Sequence, residues 1–192
     1  MTAQPPITDR RVEDINPATG ATFFEIAETD LSRMPELVAN ARSAQQIWAA
    51  LRFKERAARI KKMRDYLVAN ADAAAKVVSQ SNGKTLVDAL ATEVMPCALA
   101  CDWYSNNAAK VLKPKMRGGG SLLFLNKRSQ VLRVPSGVVG IISPWNYPLS
   151  IPFGEIIMGL MAGNAVMLKV AAATPAGTAT ASAKLSSQSN RR

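Results

Sequence analysis

The stretch that most constrains this chain runs from Gly137 to Lys169. Gly137–Ile142 (GVVGII) is short, apolar and rich in β-branched residues, the pattern of a strand buried on both faces. The turn Ser143-Pro144-Trp145-Asn146-Tyr147-Pro148 follows it. Leu149–Ala162 is apolar enough for a buried helix, Gly163-Asn164 ends that helix, and Ala165–Lys169 (AVMLK) reads as a second strand. Strand, loop, helix and strand in about thirty residues form a βαβ unit, with parallel strands and a right-handed crossover. In open α/β sheets, ligands bind where loops leave the carboxyl ends of strands. Ser143–Pro148 and the stretch after Lys169 are such loops, so the chemistry is expected there.

Upstream the chain reads as helical. Asn16-Pro17-Ala18-Thr19-Gly20 is a turn, and Ala21–Ala27 reads as an edge strand. Ser32 is a good N-cap with Pro35 in the first turn. Leu37, Val38, Ala41, Ala44, Ile47, Trp48 and Leu51 then recur at the spacing of one apolar helix face. The next helix sets Ala57, Ile60, Met63, Leu67 and Val68 against a basic face from Arg52 to Arg64 that includes Arg56. A third helix runs from Asp72 towards Gly83, and a fourth from Leu86 to Leu112 is kinked or divided by Pro96. Gly118–Gly120 ends the helical region, and Leu122–Leu125 and Gln130–Val134 read as a two-stranded ribbon. The implied organisation is an arm over 1–30, helices over 31–117, a ribbon over 118–135, a βαβ unit over 136–175 and a weakly ordered polar tail over 176–192. The fold class is α/β: a helical N-terminal half plus the start of a Rossmann-like parallel sheet.

Composition removes several function classes. The sequence has no histidine, which excludes Ser–His–Asp and Cys–His catalysis and nearly every zinc site. Cys97 and Cys101 are the only cysteines and lack other soft ligands, so no metal site is expected and core packing is the better account of them. Two cysteines without a disulfide framework suit a reducing compartment, and a cytoplasmic location is expected. No apolar run reaches the roughly 18–20 residues that cross a bilayer. From Trp103 onward there are 11 basic residues and one acid, Glu155, an excess that fits nucleic acid or a missing acidic partner surface. Few aromatics interleave the basic run at 52–64, which argues against nucleic acid. Gly83-Lys84-Thr85 has the ending of a phosphate loop, but Val78 stands where its first glycine belongs, so a helix end is expected.

Asn146 is the candidate for chemistry. Pro144 and Pro148 fix φ on either side of it, so its amide is presented with little entropy left to lose and could donate to a developing oxyanion. The competing reading, favoured by composition alone, is a turn asparagine that bonds its own backbone.

Residues 135–150, the following helix and strand, Asn16–Gly20 and Gly83-Lys84 together resemble the aldehyde dehydrogenase superfamily, in family order over about residues 10–175. The resemblance implies NAD(P)-dependent oxidation of an aldehyde to a carboxylic acid through a cysteine thiohemiacetal. It implies that Ile142, Ser143, Pro144 and Trp145 line the dinucleotide site, that Lys169 contacts the adenosine ribose, and that Asn146 donates to the oxyanion. It also implies a homo-oligomer built partly through the ribbon.

Three departures matter. Val170, Ala171 and Ala172 replace the family's usual Pro, small residue and polar residue, so no carboxylate at the third place accepts from a ribose 2′-hydroxyl. NAD preference therefore has no support, and NAD or NADP both stand. Neither Cys97 nor Cys101 matches the family nucleophile. The family's later glycine motif, general-base Glu and nucleophilic Cys lie beyond residue 192, so the expectation is a truncated chain that is inactive alone. The alternatives are a non-catalytic interaction or dinucleotide-binding fragment and, with less support, a basic nucleic-acid binder.

Overall fold

The computed structural model describes residues 10–118, 123, 127–177 and 179. The elements run β1 (Arg11–Ile15), β2 (Thr22–Ala27), a 3-10 turn (Leu31–Arg33), α1 (Met34–Ala50), α2 (Phe53–Ala69), α3 (Ala71–Asn82) and α4 (Leu86–Ala89). A π turn (Leu90–Val94) then leads into α5 (Met95–Leu112), β3 (Lys115–Arg117), β4 (Ser129–Val131), β5 (Val138–Ile142), α6 (Ser150–Met161) and β6 (Ala165–Lys169). The class is α/β as expected, and β6 has the bounds that its sequence pattern implies.

β5 and β6 are parallel, with Val138 opposite Ala165 and Ile142 opposite Lys169. α6 connects them. It buries Pro152, Phe153, Ile157 and Met161 against a core of Ile60, Leu67, Val78, Val94, Cys97 and Cys101 contributed by α2, α3, the π turn and α5. Gly163 ends α6 with φ +91°, and a Cβ there would sit 2.9 Å from Pro135 Cγ, so only glycine fits this turn. Asn164 then ties strand to helix, accepting from Gly137 N at 3.0 Å and donating to Gly159 O at 3.2 Å.

Several expectations are corrected. The helix foreseen from Ser32 begins at Met34. Asp30 caps the preceding 3-10 turn, accepting from Ser32 N at 2.9 Å and from Ser32 Oγ at 2.6 Å. α1 buries no residue fully, and Ile47 of its apolar stripe is exposed. It is held by polar contacts instead: Trp48 Nε1 donates to Leu160 O at 2.7 Å, and Gln45 Nε2 to Gly163 O at 2.9 Å, satisfying carbonyls at the end of α6. Arg56, placed by its spacing on a solvated basic face, is buried and donates to Ala49 O and Leu51 O, whereas Val68 of the apolar face is exposed.

Pro96 divides the fourth helix as expected. Its missing N–H and its ring deny Thr92 O the usual helical partner, and the turn widens there to π geometry. Most of Leu122–Leu125, the strand expected to pair with Gln130–Val134, lies outside the described residues; β4 pairs antiparallel instead with β3, Lys115–Arg117, which was expected to end the helical region, with Met116 opposite Gln130. The strand expected to be buried on both faces is covered mainly on one: Ile141 is buried and Ile142, on the opposite face, is 79% exposed. The tail expected to be weakly ordered from 176 begins as a buried helical turn, with Ala176 and Gly177 shielded. Asp14 supplies its N-cap, accepting from Ala176 N at 2.8 Å, and a Cβ on Gly177 would lie 3.0 Å from Pro148 Cγ. Residues 180–192 lie outside the described residues.

Candidate active site

The parallel pairing brings the candidate residues to one edge. Ile142 and Lys169 are partners in the last register position of β5 and β6, and Ser143 N donates to Lys169 O at 2.9 Å, extending the ladder by one bond. Ser143 is buried, with its Oγ 3.2 Å from Pro144 O. Ile142, Trp145 and the Lys169 side chain face outward, an apolar and cationic surface at the carboxyl end of the sheet. Trp145 O accepts from Thr174 Oγ1 at 3.4 Å, which joins the turn after β5 to the segment after β6. Both loops expected to carry chemistry therefore meet.

Asn146 is exposed at the tip of the turn. Among the described residues its hydrogen bonds go through the main-chain carbonyl, which accepts from Lys84 Nζ at 2.9 Å and Asn82 Nδ2 at 3.4 Å.

Sequence reasoning passed over the groups that hold this turn. Lys84 follows Gly83, whose left-handed φ of +77° ends α3 as foreseen. Lys84 was expected to be no more than part of a helix end, yet its ammonium pairs with Glu93 and lies 3.7 Å from the centre of the Tyr147 ring. Glu93, in the π turn, is completely buried; its other oxygen accepts from Leu149 N at 3.0 Å and Ser150 N at 2.8 Å. A signal existed. Glu93 shares the helical stripe of Cys97 and Cys101, and a carboxylate on a buried stripe demands partners.

Glu93 also settles what the first turn of α6 can hold. In many nucleotide-binding βα turns the helix N-terminus receives phosphate. Here a carboxylate of the same chain takes the N–H groups of Leu149 and Ser150, so those two donors are already occupied.

The sequence model described as "Aldehyde dehydrogenase family" matches residues 5–189. The chain belongs to the aldehyde dehydrogenase family. It is 35% identical over 163 residues to a 3,6-anhydro-alpha-L-galactose dehydrogenase of Streptomyces coelicolor, covering 84% of this chain and 32% of that one. Among solved structures, the succinate-semialdehyde dehydrogenase from Burkholderia pseudomallei superposes with a TM-score of 0.85 at 27% identity, covering 96% of this chain and 37% of that one. An E. coli NADP dependent enzyme gives 0.84 at 26% identity, covering 94% and 36%. The chain spans between 24% and 31% of the length of the first curated aldehyde dehydrogenase relatives that it matches. Family members are NAD- or NADP-dependent oxidoreductases acting on aldehydes.

The two cysteines of this segment are poor nucleophiles. Burial pushes the Cys97 thiol well above its ordinary range, with Cys101 and Glu93 adding to the effect. Cys101 is pushed up to about 12, again mainly by burial. Both remain thiols at neutral pH, and both line the core. Among the described residues no group of three or more His, Cys, Asp or Glu is placed to hold a metal, and no helix is long and apolar enough to cross a membrane.

Proposed function

We propose that these residues form the cofactor-facing part of an NAD(P)-dependent aldehyde dehydrogenase, with Ile142, Ser143, Pro144, Trp145 and Lys169 lining the dinucleotide site and Asn146 donating to the oxyanion. The observation that carries this reading is the bond from Ser143 N to Lys169 O at the carboxyl ends of two parallel strands, beside the exposed turn that bears Asn146. The residues at this edge suit a dinucleotide. Ile142 and Trp145 offer apolar surface, Lys169 offers a cation, and residues 142–145 and 169–173 include no carboxylate to repel phosphate. Ala172 cannot accept from a ribose 2′-hydroxyl, which favours tolerance of a 2′-phosphate.

A bound nicotinamide dinucleotide would accept the hydride that leaves the substrate carbon. The Asn146 side chain, held outward on a proline-bracketed turn, would donate N–H to the aldehyde oxygen as a thiolate adds to the carbonyl carbon and that oxygen gains charge. The thiolate is assigned to no residue of this segment, because Cys97 and Cys101 are buried thiols. The 192-residue chain is therefore proposed to bind dinucleotide without oxidising aldehydes by itself. The β3–β4 ribbon is proposed as a contact between copies in a homo-oligomer, and the location as cytoplasmic.

Quenching of Trp145 fluorescence on titration with NADP+ and a null aldehyde-oxidation assay on the same pure chain are the expected results. Robust turnover, or no binding to either NAD+ or NADP+, would overturn the proposal. Ala172→Glu should shift the ratio of dissociation constants towards NAD+. An unchanged ratio would remove Ala172 from the ribose end of the site.

A further inference from the structure

We infer that Lys84 and Glu93 are positioning residues for Asn146, locking the turn 146–150 from beneath; the role rests on the oxyanion function proposed for Asn146. Each group holds a different end of the turn. Lys84 Nζ donates to Asn146 O at 2.9 Å and sits over the Tyr147 ring, while Glu93 accepts from Leu149 N and Ser150 N. The ammonium and the carboxylate are bonded to each other, so the two grips are coupled.

Lys84 is itself fixed. Ser79 Oγ donates to Lys84 O at 2.7 Å, Lys84 N donates to Asn82 Oδ1 at 3.2 Å, and the left-handed Gly83 before it lies against Pro17. Glu93 is fixed by the π turn that Pro96 imposes. Charge-assisted bonds between groups whose own backbones are pinned hold geometry better than neutral turn contacts do. With its carbonyl gripped, the main chain of the exposed Asn146 is fixed, and the side chain starts from a set position. A turn of this shape needs no charged pair merely to close, since Pro144 and Pro148 already restrict it. Two ionised side chains placed below it are better explained by the need to fix where that amide points.

The test uses the 192-residue chain and amide-resolved NMR, with no dinucleotide present. In Lys84→Met, the Asn146 side-chain NH2 signals and the Trp145 indole N–H should shift towards averaged positions. The Trp48 indole N–H, bonded to Leu160 O far from the turn, should stay in place, and Lys84→Arg should restore part of the Asn146 shift. A purely structural role would move the Trp48 signal together with that of Trp145, and that outcome overturns the inference. So does an unmoved Asn146 signal.

Should Lys84→Met fail to fold, Glu93→Gln decides. Faster hydrogen exchange at Leu149 and Ser150, with a displaced Asn146 signal and a static Trp48, supports the lock, and an undisplaced Asn146 signal sinks it. Titrating NAD+ and, separately, NADP+ into the unmodified chain separates the two ideas. No perturbation at Trp145 or Lys169 defeats the dinucleotide reading, whatever the variants do to the turn.

Discussion

Two buried carboxylates cap two helix starts at the same sheet edge, and they are satisfied in different ways. Glu93 caps α6 with one oxygen on two N–H groups and the other on the Lys84 ammonium. Asp14 caps the helical turn at 175–177, accepting from Ala176 N at 2.8 Å and Ser81 Oγ at 2.6 Å through one oxygen, while its Oδ1 is buried without a partner among the described residues. Burial, against the pull of those two bonds, raises the pKa of Asp14. The contrast separates two jobs that a buried acid can do. With a counter-ion it anchors a turn as a fixed charge; without one it stitches chain segments together and retains a tendency to pick up a proton.

The largest effect should come from breaking the paired site. Glu93→Ala strands the Lys84 ammonium and leaves two N–H groups at the start of α6 without their acceptor, at an expected cost of about 3 kcal/mol in urea unfolding. A loss below that of the Asp14 variant would erase the distinction between the sites. Asp14→Ala should cost less, about 1–2 kcal/mol, because the orphaned Ser81 hydroxyl and Ala176 N–H are partly offset by relief of an unneutralised buried charge. Its damage should also be local: hydrogen exchange should rise at Ala176 and leave Leu149 and Ser150 protected.

The same contrast explains what was legible in the sequence. Features set by near neighbours were readable: the bounds of β6, Gly83 and Gly163 as helix ends, Pro96 as a divider, and the meeting of Ile142–Trp145 with Lys169 implied by a βαβ unit. Features set across long separations were not. β1 is a charged run, RVEDI, with little strand signature, and Asp14 is buried only because Ser81 and Ala176 close over it from 67 and 162 positions away. Glu93 meets Leu149 and Ser150 across 56 and 57 positions. Arg56 misled for a related reason. Its neighbours in sequence are basic and exposed, while its guanidinium satisfies the carbonyls of Ala49 and Leu51 where α1 turns into α2. Ile142 misled in the opposite direction, since an apolar residue at the last position of a strand can stand exposed.

The smallest expected effect is the most discriminating. The folded chain holds a proton on Asp14 at pH values where the unfolded chain, with its ordinary pKa of 3.8, has released it. The contribution of this group to stability is therefore complete below about pH 3.8 and is lost as pH rises through the higher folded value. Glu55 and Asp30 run the other way. The Arg52 guanidinium and the Ser32 hydroxyl, respectively, are the main causes that hold their carboxyls below the usual range, so their contributions are present above their ordinary pKa values and fade as pH falls. Asp14→Asn removes one term and leaves the others. It keeps an oxygen for Ala176 N and offers Ser81 a donor in place of an acceptor. Melting curves of both chains between about pH 4 and pH 7 should show the difference in Tm moving in favour of Asp14→Asn as pH rises. A difference that stays flat would mean that Asp14 titrates alike folded and unfolded. One that moves in favour of the unmodified chain would mean that the hydrogen bonds from Ser81 and Ala176 outweigh burial at Asp14, and the contrast with the ion-paired site would lose its electrostatic half.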